Sequence, residues 1–193
     1  MKYKLFTFDL ETTGVIPSKN HIWQLAYRMY VNKELVEENN LKFAPVSLDD
    51  HNPKAIEMSG LELEEMAALP ISAAQAFAEL KADLDHYVDP YNKNDKFIIA
   101  GYNVHFDEAF LRAFFNHMGN KWYGAYFWSG RICALTLAQV ILKESRHLMP
   151  NFQLSTVAAR LGFDVDESKA HDGLYDLTMT EHILRKTSVL PKL

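Results

Sequence analysis

The chain has little with which to staple itself together or to hold on to a membrane. Its 193 residues include one cysteine, Cys133, which excludes an intrachain disulfide framework. The longest apolar runs, such as Phe97-Ile98-Ile99-Ala100, fall far short of the ~18 consecutive residues of a membrane-spanning helix. The N-terminal MKYKLFTFDL lacks the apolar stretch and small-residue cleavage site of a secretory signal. Together these absences predict a soluble protein of a reducing, cytoplasmic setting with no membrane partner. Positive charge is also short, since 20 Lys and Arg against 25 Asp and Glu leave a net charge of −5. Broad electrostatic capture of duplex DNA or of an acidic membrane is thereby disfavoured, and any contact with a polyanion should be local or bridged by metal. No repeat, low-complexity tract or linker divides the chain. At 48% hydrophobic residues it is long enough for one well-buried domain over residues 1–193.

Hydrophobic patterning predicts strands at 3–9, 21–31 and 34–43, with turns at Gly14, Pro17, Asn20 and Asn32-Lys33, arranged as an antiparallel meander. A short helix follows Asn52-Pro53 and ends at Gly60; Pro70-Ile71-Ser72 opens a longer one to Tyr87, with Ala76, Leu80 and Leu84 on one face. The strand FIIAGYN at 97–103 leads straight into a helix over 106–118 striped by Phe106, Phe110 and Phe114. Further helices are expected at 132–143, 153–161 and 172–186. Strands first, then alternating α and β, predict an α/β domain with a mixed sheet covered by helices.

Three short segments carry chemistry-bearing side chains. In FTFDLETTG, residues 6–14, strand alternation puts Leu5, Thr7, Asp9 and Glu11 on one face. Two residues of rise separate the two acids by ~7 Å. Carboxylates this close repel unless one stays protonated or a divalent ion lies between them. A solvated acid pair at a strand end would look the same from spacing alone. Asp9-Leu10-Glu11-Thr12-Thr13 also resembles the Asp-x-Asp-x-Thr signature of haloacid-dehalogenase-type phosphatases, whose first Asp is a nucleophile. Here Glu takes the third position, and no Gly-Asp-x-x-x-Asp segment follows downstream. The second segment, Gly101-Tyr102-Asn103-Val104-His105-Phe106-Asp107, places Asp107 in a helix's first turn, where the dipole favours its charge. Asn103 falls at the strand's C-terminal end, where an amide suits a ligand. The third, Ala170-His171-Asp172-Gly173-Leu174-Tyr175-Asp176, offers Asp172 as an N-cap, His171 in the loop before it and Asp176 about one turn inside. These acids could equally serve only their helix N-termini, and spacing does not say which of Asp172 and Asp176 points inward.

Taken together and in this order, the segments resemble the DEDDh superfamily of 3′-to-5′ exonucleases, which includes polymerase proofreading subunits, RNase T and oligoribonuclease. Asp-x-Glu-Thr-Thr-Gly spans Asp9 to Gly14, Asn-x-x-Phe-Asp spans Asn103 to Asp107, and His followed five positions later by Asp is present as His171 and Asp176. Asn52-Pro53-x-Ala55 with Gly60, Cys133 with Leu135-x-Leu137-Ala138, and Asn151-Phe152-x-Leu154 through Leu161-Gly162 also look like family segments. The likeness covers nearly the whole chain. It implies an RNase H-like α/β fold, a mixed five-stranded sheet flanked by helices, and it selects Asp176 over Asp172. It further implies that Asp9, Glu11, Asp107 and Asp176 hold two divalent metal ions, Mg²⁺ or Mn²⁺ for an all-oxygen ligand set, which clamp an in-line displacement. His171 would be the general base, so that the catalytic set is His171 with the four acids. Leu10, Thr12, Thr13 and Asn103 would position the 3′-terminal nucleotide, beside Phe106 and Phe152, each of which could equally belong to the core. The implied products are nucleoside 5′-monophosphates. The implied partner is a short single-stranded 3′ end, DNA ahead of RNA, in repair or proofreading; contacts to a 2′-hydroxyl, which would separate the two, are reported by no motif.

Departures from the family pattern are few. Gly173 stands where Ala is usual, which should loosen the helix start slightly. Met58-Ser59-Gly60-Leu61 replaces the Ile-His-Gly-Ile of many proofreading subunits, implying a different contact to the terminal bases. The aromatic run from Trp122 to Trp128 suits core, a subunit interface such as that of a homodimer, or stacking of unpaired bases. The remaining histidines show no ligand spacing and are expected at the surface or in packing. A polymerase tether is not expected after Leu193, and polymerase association is left open. A non-catalytic nuclease-like scaffold would be expected to lose some of the five site residues, and none is missing.

Overall fold

A computed structural model of the chain describes residues 3–169 and 172–191. The first three strands, β1 (Lys4–Thr12), β2 (Ile22–Val31) and β3 (Glu34–Ala44), form the antiparallel meander that the patterning predicts. Asn32 and Lys33 close the β2–β3 hairpin at φ of 52° and 74°, the left-handed pair that matches strand twist in a two-residue turn. Helix α1 (Pro53–Ser59) starts on Asn52, whose side chain accepts from the Lys54 N–H, and stops at Gly60 with φ 68°. After α2 (Leu63–Ala67) and the two-residue strand β4 (Ile71–Ser72), Ser72 and Gln75 form a capping box that opens α3 (Ala73–Tyr87). The second half alternates: β5 (Phe97–Gly101), α4 (Val104–His117), α5 (Tyr123–Tyr126), β6 (Phe127–Cys133), α6 (Ala134–Ile141), α7 (Leu154–Arg160) and α8 (Gly173–Lys186).

The strands lie in the order β4-β3-β2-β1-β5-β6. β5 and β6 run parallel to β1, so the five longer strands make the expected mixed sheet, to which β4 adds a short parallel pair on β3. Alternation along β1 sorts the layers. Phe6, Phe8 and Leu10 face one core with Tyr27, Phe43, Phe97, Ile99 and the apolar stripes of α3 and α4. Leu5, on the opposite face, packs with Ala100, Ala134, Ala138, Val157, Ile183 and Leu184, a core covered by α6, α7 and α8. Thr7, Asp9 and Glu11 share that second face, so three polar side chains are aimed at the helix layer that arrives last in sequence.

Two expectations shift. The helix expected over 132–143 begins only at Ala134, because the residues before it form β6 at the sheet edge. The aromatic run divides accordingly: Tyr123, Tyr126 and Phe127 are core, while Trp122 is 73% exposed. Gly173, besides its weak helix propensity, has a packing reason. A Cβ there would come within 3.2 Å of both the Ala26 Cβ and the Gln24 Nε2, so its missing side chain lets α8 lie close on β2.

Candidate metal centre

β1 outruns its neighbour. It pairs with β5 only through Leu5 to Thr7 against Ile98 to Ala100, whereas its pairing with β2 continues to Thr12. Asp9 and Glu11, opposite Ala26 and Gln24, therefore lie beyond the carboxyl end of β5, in the crevice where open α/β sheets hold ligands. A register shift between Glu11 and Thr12 marks a bulge at this point, a device that re-aims side chains beside sites. Both acids lie near the carboxyl end of β1, yet burial and neighbouring acids set them apart from a freely solvated pair.

α8 packs across β1 and β2 and delivers Asp176. One carboxylate oxygen each from Asp9, Glu11 and Asp176 lies within 4.8 Å of the other two. Asp172 stays outside this cluster: it caps α8, accepting the Tyr175 N–H at 3.1 Å, and stands 3.8 Å from the Lys42 ammonium. Asp107 comes from the first turn of α4 on the other side of the sheet and is buried. Backbone N–H groups of Asp107 and Leu10 favour its ionised form, and it borders the cluster without joining that 4.8 Å group.

The electrostatics are those of crowded acids. Burial, then the Asp107, Glu11 and Asp176 carboxylates, hold the Asp9 carboxyl well above the usual range. Burial first and Asp176, Asp107 and Asp172 next push Glu11 up to about 8, against the opposing pull of Lys42. Burial raises Asp107 to about 7 despite its two backbone donors. The donor set is all oxygen, negatively charged and mutually repelling, which is what a hard divalent cation fits and what a protein without one must keep partly protonated.

The residues expected to seat a nucleotide fare unequally. Thr12 donates to the Gly14 carbonyl at 2.6 Å, while Thr13 is buried and its hydroxyl accepts the His21 N–H at 2.9 Å. These threonines shape the β1–β2 loop. Gly14 is required there, because a Cβ would lie 2.4 Å from the Asn20 Oδ1 that accepts the Ile16 N–H. Leu10 sends its side chain into the core on the far face, and only its N–H reaches the site, through Asp107. Asn103 is exposed at the start of α4 with φ 55° and leaves its amide free of any capping bond. Phe106 is half-buried against Phe110, with ring centroids 4.9 Å apart. Phe152 is half-buried in the second core beneath the Arg146 guanidinium. His171 lies outside the described residues.

Two neighbours had no signal in the motifs. Gln24 is fully buried opposite Glu11 and donates to Asn40 Oδ1 at 2.8 Å; Lys42, its partner on β3, brings the one cation named above. Only the strand register, Glu11 to Gln24 to Lys42, lines them up, and a reader of the meander could have counted across it.

A mixed sheet with an acid cluster at the carboxyl end of its central strands, completed by a late helix, defines an RNase H-like nuclease fold. The model of the RNase T-type exonuclease family matches residues 6–184, and the chain belongs to that family of 3′-to-5′ exonucleases. A comparison with curated proteins gave no match. Among solved structures, the zinc-bound form of the E. coli exonuclease I–ssDNA complex is 22% identical with a TM-score of 0.73, covering 96% of this chain and 41% of that one. E. coli exonuclease I with a 5cy-dA13 oligonucleotide is 19% identical at a TM-score of 0.70, covering 95% and 40%. An ExoI/SSB-Ct complex is 20% identical at 0.70, covering 98% and 42%. The chain thus spans about two fifths of the length of these solved proteins.

Proposed function

We propose that this chain is a metal-dependent 3′-to-5′ exonuclease acting, as one catalytic domain, on single-stranded nucleic acid, DNA in preference to RNA, and releasing nucleoside 5′-monophosphates. The observation that carries the reading is the meeting of Asp9, Glu11 and Asp176 within 4.8 Å, with Asp107 beside them. Those four carboxylates would hold two divalent ions, Mg²⁺ or Mn²⁺. When bound, the ions would supply charge stabilisation to the attacking and leaving oxygens of an in-line displacement. The protein's own part is to hold its acids fixed in mutual reach while substrate arrives. β1 and α8 set three of them on rigid elements, and the first turn of α4 sets the fourth. The exposed Asn103 amide at the start of α4 would contact the terminal nucleotide, and Thr12 and Thr13 of the β1–β2 loop would help to seat it. His171 would accept the proton of the attacking water, a task that an imidazole near its ordinary pKa performs at neutral pH. A net charge of −5 suits a short single strand rather than a long duplex. The capture of exonuclease I with single-stranded DNA supports the choice of DNA.

The test is digestion of 5′-labelled single-stranded DNA and RNA oligomers with Mg²⁺ or Mn²⁺. A ladder shortening from the 3′ end is expected, abolished by EDTA and by Asp9→Ala. Digestion from the 5′ end, or activity indifferent to EDTA, would refute the mechanism. Hydrolysis of p-nitrophenyl phosphate with intact oligomers would return the assignment to a phosphatase.

A further inference from the structure

Glu181 lies on α8 five residues beyond Asp176 and is 1% exposed. The Thr7 and Tyr30 hydroxyls donate to its carboxylate at 2.7 and 2.9 Å, and the Arg28 and Arg185 guanidinium groups lie at 3.0 and 3.4 Å. Arg28 also donates to Glu38 at 2.6 Å and to the Thr178 hydroxyl at 3.2 Å. A buried carboxylate is costly unless paired and hydrogen-bonded. This one is met from β1, β2 and α8 at once.

Its position along those elements gives it a use. Thr7 precedes Asp9 by two residues on the same strand face, a rise of ~6.6 Å. Glu181 follows Asp176 by five helical residues, a rise of ~7.5 Å. α8 therefore runs antiparallel to β1 and touches it at two points of nearly matched spacing. At one point Asp176 meets Asp9 and Glu11, and three acids of like charge push the helix off the sheet. At the other, hydroxyls and guanidinium groups draw it on.

We infer that Glu181 is a positioning residue for the acid cluster: its anchorage to Thr7, Tyr30 and Arg28 fixes the height and rotation of α8, so that Asp176 stays within ligand distance of Asp9 and Glu11. The inference rests on reading those three acids as metal ligands, and it assigns to Glu181 a part that touches neither ion nor substrate.

The experiment measures Mn²⁺ binding, metal dependence of oligonucleotide digestion, and Tm for the wild type, Glu181→Gln, Tyr30→Phe and Tyr27→Phe. Tyr27 is the control: its hydroxyl donates to Asp83 on α3 at 2.5 Å, a similar phenol–carboxylate bond on a helix that bears no cluster acid. Glu181→Gln and Tyr30→Phe should raise the metal concentration for half-maximal activity about tenfold, with rate recovering at saturating metal and oligonucleotide KM unchanged. Tyr27→Phe should lower Tm to a similar degree and leave metal dependence alone. If Glu181→Gln does not fold, Tyr30→Phe, which removes a single oxygen, decides the matter. Lower Tm in all three variants with unmoved metal dependence would overturn the inference and leave Glu181 a core fixture. A wild type that binds no Mn²⁺, or an Asp176→Asn variant that binds it normally, would instead remove the ligand assignment on which the inference stands.

Discussion

Replacing Glu11 by glutamine separates what the acid cluster costs the fold from what it does for the chemistry. Burial and three neighbouring acids raise the Glu11 carboxyl from 4.5 to about 8. A carboxyl whose pKa is higher folded than unfolded holds its proton more tightly when folded. Its contribution to stability is complete below the unfolded value and is lost as pH rises through the folded one. That rise corresponds to about 5 kcal/mol, which solvent around a half-buried side chain trims to about 2–3 kcal/mol. Glu11→Gln keeps the shape and removes the titration. In EDTA, wild type and variant should melt together at about pH 4, below the unfolded pKa, while at about pH 9 the variant should melt higher by about 5–10 °C. The same variant should be inactive at every pH, a trade of function for stability. Saturating Mn²⁺ should stabilise the wild type more at high pH than at low, since the ion takes over the charge that the fold otherwise tolerates poorly. A metal-free wild type whose Tm climbs over this pH range, or a variant that melts no higher at the alkaline end, would refute the argument.

Two backbone predictions follow. Gly14→Ala places a Cβ 2.4 Å from the Asn20 side chain, so the β1–β2 loop must shift; about 1–3 kcal/mol of stability should be lost in denaturant melts, together with a raised oligonucleotide KM. Gly173→Ala gains about 1 kcal/mol of helix propensity. Its Cβ, however, meets Ala26 and Gln24 at 3.2 Å, so Tm should not rise; a clear increase would show that α8 has room to spare.

The meander was legible because its alternation is strong and its turns carry Gly14 and Asn32-Lys33, and α1 and α3 because Asn52-Pro53, Gly60 and Ser72 punctuate them. β6 was not, for a physical reason. Its Ser129, Gly130 and Arg131 interrupt the apolar pattern, as an edge strand paired on one side permits, and the aromatic residues before it read as core, a subunit interface or a base-stacking run. The acids Asp9, Glu11, Asp107 and Asp176 were all named from the sequence, but their grouping came from resemblance. Nothing local distinguishes Asp176 from Asp172; the distinction arises only when α8 docks. The same holds for Glu181, Arg28 and Tyr30, which are ordinary helix and strand residues until tertiary contact buries them. Thr13 and Leu10 also carry packing roles that motif membership did not announce, in the loop and in the core.

The bond between the Thr7 hydroxyl and Glu181 joins residues 174 apart in the chain. Contacts of such long sequence separation form late, after the loop-closure entropy of everything between has been overcome. During synthesis, the N-terminal hairpin emerges with Asp9 and Glu11 in place, yet the third member of the cluster is still unmade. The three-acid grouping is therefore a property of the docked fold, which the N-terminal hairpin cannot hold by itself.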